Sequence, residues 1–203
     1  MKTLSLIILC LFTATIEGQE IPPDFDGHQW EAPYSLPIPN DWTIERFLIP
    51  ISFAPQITYT GVEDIRFTPG WGNSKSDAYW SYAFLWYLDG KIKTNARMIG
   101  HHLKDYYTGL IAVNAPNIPS DQLIPVITSF KAVKKEPGDL KTYAGTIEML
   151  DYMAQQPLVL HCKVHLKSCG EDKTFIFFEL SPQPFSQNVW RSLDKLWLEF
   201  KCL

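Results

Sequence analysis

Apolar residues along this chain recur with two different periods, and the changes of period divide it into strands and helices. Residues 78–88 (AYWSYAFLWYL) are apolar or aromatic at nearly every position. As a strand, this run places Ala78, Trp80, Tyr82, Phe84, Trp86 and Leu88 on one face and Tyr79, Ser81, Ala83, Leu85 and Tyr87 on the other. Two greasy faces are the pattern of a central strand covered on each side. Before it, residues 45–53 form an apolar run broken at Pro50, which suits an edge or a bulge because proline cannot donate to a ladder. Residues 62–67 alternate imperfectly through Val62, Ile65 and Phe67.

Past the Asp89-Gly90 turn signal the period lengthens. Ile99, Leu103, Tyr106 and Leu110 recur at helical spacing, with Met98 and His102 on the adjoining stripe, and the spacing predicts a helix over 95–113. Thr94 can cap its start, and Asn114 with Pro116 ends it. Period-two runs return at 123–133, 142–152, 157–166 and 174–180, separated by turn-forming stretches at 136–139 (EPGD) and 168–173 (SCGEDK). After Pro182 and Pro184, Ser186 can cap a last helix whose stripe is Val189, Leu193, Leu196, Trp197 and Phe200.

The predicted order is three strands, a helix, four strands, a helix. Short turns between consecutive strands imply antiparallel pairing. The expected fold is therefore α+β, with a single mainly antiparallel sheet of about six or seven strands covered by two helices.

The N-terminal pattern adds an address. Lys2 precedes the apolar run 4–15 (LSLIILCLFTAT), and small Gly18 stands before Gln19 at a cleavage position. This is the layout of an export signal over residues 1–18. The run is shorter than the roughly 20 residues a bilayer span needs. Leu9 before Cys10 does not fit a lipidation signal, so Cys10 falls within the leader. The expectation is an exported protein, periplasmic or extracellular, with a style of leader that suits a bacterial source and no membrane span after cleavage. Residues 19–44, with Pro22, Pro23, Pro33, Pro37 and Pro39, read as an extended N-terminal arm pinned by Trp30 and Tyr34, and residues 45–203 as one domain.

Composition narrows the chemistry. The net charge is −4, aromatic residues make up 14%, and no basic run occurs. Nucleic-acid binding relies on phosphate neutralisation by Lys and Arg, so it is not expected. Beyond the leader, Cys162, Cys169 and Cys202 allow one internal bridge and one free thiol in an oxidising compartment. Cys162 with Cys202, or Cys162 with Cys169, are the two pairings considered.

His161 and His165 in LHCKVHL tempt a metal reading. Their neighbours alternate as in a strand, however, which sets the pair about 13 Å apart, too far to share one ion. They read instead as a solvated polar face. No serine-elbow, phosphate-loop or dinucleotide motif occurs, and no metal or other cofactor is called for.

The stretch 68–82 (TPGWGNSKSDAYWSY) is the one that suggests recognition. A glycine-containing loop there presents Trp71 beside Asn73, Lys75 and Asp77, an arrangement that sugar- or peptide-binding surfaces use. The rival reading is a turn whose Trp71 folds back over the sheet edge. The expectation is a non-catalytic domain that binds a small ligand or a protein partner. The alternatives are a hydrolase with dispersed catalytic groups (His102, Asp77 and Asp105) and a structural accessory protein of the cell envelope.

Overall fold

The computed structural model describes residues 25–119, 123–170 and 172–203; the export signal predicted over residues 1–18 lies outside them. Seven strands form the main sheet: β2 (Thr43–Ile49), β3 (Gly61–Phe67), β4 (Tyr82–Asp89), β5 (Ile127–Ala132), β6 (Lys141–Asp151), β7 (Gln156–Ser168) and β8 (Lys173–Ser181). Their spatial order is β2-β3-β4-β8-β7-β6-β5, and every pairing is antiparallel. A two-stranded ribbon joins β1 (Tyr34–Ser35) to β9 (Lys201–Cys202). The α+β expectation with one main sheet holds.

Helix α1 (Ala96–Asn114) and helix α2 (Asn188–Leu198) lie on opposite faces of that sheet. On the first face, Ile99, Leu103, Tyr106, Tyr107 and Ile111 of α1 are buried together with Phe84, Trp86, Ile147, Leu160, Val164 and Phe178. On the second, Trp190, Leu193, Leu196 and Trp197 of α2 are buried with Ala83, Leu85, Phe175 and Phe177. Burying each such side chain contributes about 1.5–3 kcal/mol, so these stripes fix both helices. β4 supplies Phe84 and Trp86 to one core and Ala83 and Leu85 to the other, which makes it the two-sided central strand that its sequence predicts.

Several boundaries differ from the sequence reading. Residues 78–80 belong to a turn that precedes β4, because Trp80 takes a left-handed backbone (φ 52°) that no strand tolerates. Asn95 caps α1 in place of Thr94, its side chain accepting from the Met98 amide at 3.0 Å. Helix α2 begins after Gln187, which makes no side-chain cap, instead of after Ser186.

The disulfide is also corrected. It joins Cys169 to Cys202, and Cys162 is a buried free thiol. Cys162 points into the α1-side core while Cys169 packs against the α2-side core, so the sheet itself separates Cys162 from Cys202.

The segment before β2 lies on the α2 face. Tyr34 and Leu36 are buried there, and Trp30 packs beside Tyr34 and Tyr87 at ring distances of 6.0 and 6.2 Å. A buried ion network ties it down. Asp64 on β3 receives Arg66, Arg46 Nε at 3.0 Å and the Tyr34 hydroxyl at 3.0 Å. Arg66 in turn donates to the Pro37 carbonyl from Nε at 3.1 Å and to the Leu36 carbonyl from Nη2 at 3.3 Å. Among the described residues, no helix is long and apolar enough to cross a membrane.

Candidate functional site

A seven-stranded sheet is about 30 Å wide and a helix only about 10 Å across. One helix therefore cannot roof a face of it. The close backbone contacts of helix α1 are with β5 and β6. Its Tyr106 and Tyr107 reach Glu63 of β3 and Tyr82 and Phe84 of β4, and the outer part of the same face, toward β2, is covered by other groups. The loop after β2 does part of this, burying Ile51, Ala54 and Ile57. Phe53 of that loop packs edge-on against Tyr106 of α1 at 5.1 Å. Its carbonyl comes so near the helix that a Cβ on Gly109 would stand 1.8 Å from it.

Between this loop, the sheet and the turn at 68–81 a cleft of about 240 Å³ stays open. Its floor is Ile65 and Phe67 of β3 with Tyr82 of β4, and one wall is Phe47 and Glu45 of β2. Tyr106, Leu110 and Asn114 of α1 close the second side, and Trp71, Trp80 and Tyr152 the third.

The turn at 68–81 is held rigidly. The Thr68 hydroxyl donates to the Ser81 carbonyl at 2.6 Å, the Trp71 amide to the Thr68 carbonyl at 3.1 Å, and the Trp80 amide to the Trp71 carbonyl at 2.8 Å. Gly70 sits at φ 82°, where side chains are strained, and a Cβ there would meet Ser76 Oγ at 2.6 Å. The Tyr79 hydroxyl donates to Asp151 Oδ2 at 2.7 Å, which anchors the turn to the end of β6. Burial and the Asp151 carboxylate push the Tyr79 phenol up to about 12, so it stays a donor.

These contacts place two indoles on the cleft. Trp71 stacks on Phe67 with centroids 4.3 Å apart, so the turn does fold back over the sheet, and in doing so it forms a wall. Trp80 packs edge-on against Tyr152 at 5.1 Å. It is 1% exposed, and its Nε1 donor has no acceptor among the described residues. A bulky residue in a left-handed conformation with an unsatisfied donor is strained twice over, and such strain concentrates at ligand sites.

Of the four residues that the sequence offered as a binding surface (Trp71, Asn73, Lys75 and Asp77), Trp71 alone lines this cleft. Asn73 accepts from the Lys75 amide at 3.0 Å in a local turn, and Asn73, Lys75 and Asp77 are exposed. The groups of the hydrolase alternative do not assemble. His102 Nε2 bonds the Tyr59 hydroxyl at 2.9 Å, burial lowers the His102 pKa, Asp105 faces His101 at 3.4 Å, and Asp77 is on the exposed turn. His161 lies beside Phe185, whereas His165 is buried against Asp139 and Glu179, so the reading of both as a solvated face is corrected for His165. Among the described residues, no group of three His, Cys, Asp or Glu side chains is placed to hold a metal ion.

Sequence reasoning missed most of the cleft. Phe47 and Phe53, Tyr106, and Tyr152 come from three separate segments, and each alone reads as an ordinary core residue. The left-handed Trp80 carried no signal either, since neither propensity nor spacing favours it.

Behind Tyr106 lies a buried acid. Glu63 of β3 is fully buried and accepts from the Tyr106 hydroxyl and from Trp86 Nε1, each at 2.7 Å. Burial, which outweighs these two donors, pushes its carboxyl up to about 8. Glu63 fixes the inner edge of Tyr106 and therefore that side of the cleft.

No protein-family model matches the chain, and no curated protein or solved structure matches it significantly.

Proposed function

We propose that this protein is a non-catalytic binding domain that takes a small aromatic ligand, of one or two rings with an acceptor oxygen, into the cleft beside Trp71 and Trp80. One observation carries the reading: a cleft walled by aromatic rings, one of which, the buried Trp80, has an indole donor without an acceptor among the described residues. The size supports it. A cavity of about 240 Å³ exceeds the roughly 150 Å³ that admits benzene and falls below the roughly 300–1,000 Å³ of drug-sized pockets. Ring walls favour a flat apolar ligand, and the buried Nε1 of Trp80, which a ligand reaches by a small shift of the indole, favours a carbonyl, ester or phenol oxygen. A protein segment is a poorer occupant, because the space is concave and holds only a side chain.

Export belongs to the same proposal and is supported by the leader pattern and by the disulfide. Mass spectrometry of protein from its natural host should find Gln19, free or cyclised, as the first residue; an intact Met1 would refute export.

The binding test uses calorimetry and tryptophan emission with 4-hydroxybenzaldehyde, benzaldehyde and indole. Trp71→Ala should weaken all three at least tenfold. Trp80→Phe keeps a ring but removes the donor, and should weaken the two aldehydes severalfold while sparing indole. Absence of saturable binding at millimolar concentration, or equal binding by Trp71→Ala, would overturn the proposal.

A further inference from the structure

The opposite face of the sheet carries a second built arrangement that the aromatic cleft does not use. Asp139, in the turn before β6, is 3% exposed and accepts three hydrogen bonds. His165 Nδ1 donates to its Oδ2 at 2.8 Å, Thr142 Oγ1 to the same oxygen at 2.7 Å, and Trp197 Nε1 to Oδ1 at 2.7 Å. Burial alone would raise the Asp139 carboxyl, but these donors hold it below its usual value. An ionised Asp139 fixes the proton on Nδ1 and aims the other ring nitrogen of His165 away from it.

That nitrogen faces Glu179. Nε2 lies 3.5 Å from Glu179 Oε1, near enough for attraction but without a formed hydrogen bond. Glu179 is fully buried, and both of its carboxyl oxygens lack a hydrogen-bond partner among the described residues. Lys163 Nζ stands 3.8 Å from Oε2 and is bonded to Asp194 of α2. These groups border a cavity of about 220 Å³ whose rim includes Glu136, Pro137 and Leu198.

Charge selects the occupant. An anion would meet Glu179, Asp194 and Glu136, and a cation would meet His165, Lys163 and Lys167. Burial lowers the affinity of His165 for its proton, but the Asp139 bond and the Glu179 carboxylate raise its pKa to about 9, so Nε2 is a donor at neutral pH. Beside it stand the two carboxyl oxygens of Glu179, which face His165 and Lys163 at ion-pair distance and have no hydrogen-bond partner among the described residues. A hydroxyl group donates and accepts at once, so adjacent hydroxyls satisfy such a mixed set where a single-sign ligand cannot.

We infer that the cavity beneath α2 binds a neutral polyhydroxylated ligand of about one sugar ring, with Glu179 accepting from its hydroxyls and His165 Nε2 donating to one of them. Pro137, Leu198 and the edge of Trp197 supply its apolar walls.

The test is a titration of the 15N-labelled full chain with glucose, galactose and myo-inositol in separate experiments. The Trp197 indole N–H and the amides around Glu179 should shift saturably with at least one of them, at a Kd in the millimolar range or below. Glu179→Gln should weaken that binding at least tenfold, and Trp71→Ala should leave it unchanged, which separates this site from the aromatic cleft. Should Glu179→Gln fail to fold, the wild-type shifts still decide. No saturable shift at Trp197 up to about 100 mM, or saturation by acetate or methylammonium in place of the sugars, would overturn the inference.

Discussion

Replacing Glu63 by glutamine should make the protein more stable at pH 8 and leave it nearly unchanged at pH 4.5. The carboxyl is fully buried, and its folded-state pKa is raised from 4.5 to about 8. A raised folded pKa means that the native chain holds a proton which the unfolded chain releases. The stability it contributes is therefore complete below pH 4.5 and is lost as pH climbs through 8. At about 1.4 kcal/mol per unit, the loss reaches about 3 kcal/mol at pH 7 and approaches about 5 kcal/mol above pH 9. Glutamine keeps the shape and cannot ionise. Its oxygen can accept from Trp86 Nε1 or from the Tyr106 hydroxyl, as the Glu63 carboxyl does, while its amide takes the place of the carboxyl proton. Urea denaturation followed by tryptophan emission, at pH values from 4.5 to 8.5, gives the difference between variant and wild type, and other titrations cancel from it. The difference should grow with pH in favour of Glu63→Gln. A change of less than about 1 kcal/mol between pH 5 and 8, or a variant less stable at pH 8, would refute a buried neutral acid at this position.

Three further outcomes follow from the same geometry. Cys169→Ser removes a bridge across a sequence separation of 33, and non-reducing urea titration should find a loss of about 3–4 kcal/mol by loop entropy. Asp64→Ala leaves Arg66, 1% exposed, without its carboxylate; a loss of about 3–5 kcal/mol is expected by chemical denaturation. Gly109→Ala forces a Cβ against the Phe53 carbonyl, so calorimetry should detect both a drop in stability and weaker binding of the aldehyde probes, since Phe53 is a wall of the cleft.

Local patterning carried the secondary structure and failed where distant segments meet. Residues 82–88 announce a two-sided central strand because every side chain there is apolar or aromatic, and α2 is legible from Leu193, Leu196 and Trp197. The alternation around His165 correctly assigns it to the face opposite Cys162. It does not reveal that Trp197, more than thirty residues later, comes down on that face and buries the imidazole. The same limit explains the disulfide: Cys162 and Cys169 differ by an odd number of positions, and only the assembled sheet shows Cys169 beside Cys202 at its end. Of the turn at 68–81, Trp71 was legible as an aromatic in a glycine turn. Asn73, Lys75 and Asp77 lie in the exposed stretch of that turn, where Asn73 closes a local loop with the Lys75 amide.

The two cavities share one physical origin and yet are independent. Each helix covers only part of its sheet face, so each face keeps an unroofed region whose character depends on the side chains that strand alternation places there. On β8, Phe178 packs toward α1 while its neighbour Glu179 faces α2; on β3, Phe67 floors the cleft while Arg66 is buried on the other side. Successive residues thus supply opposite faces, and a ligand on one face meets none of the side chains that hold a ligand on the other. A substitution at Trp71 removes a wall of the aromatic cleft and leaves Glu179 untouched, and the reverse holds for Glu179. Rigid strands shared between the faces are the one path for coupling. Binding energies on the two faces should therefore add within about 0.5 kcal/mol, as separated sites do, and a larger coupling would have to be carried by displacement of β4 or β8.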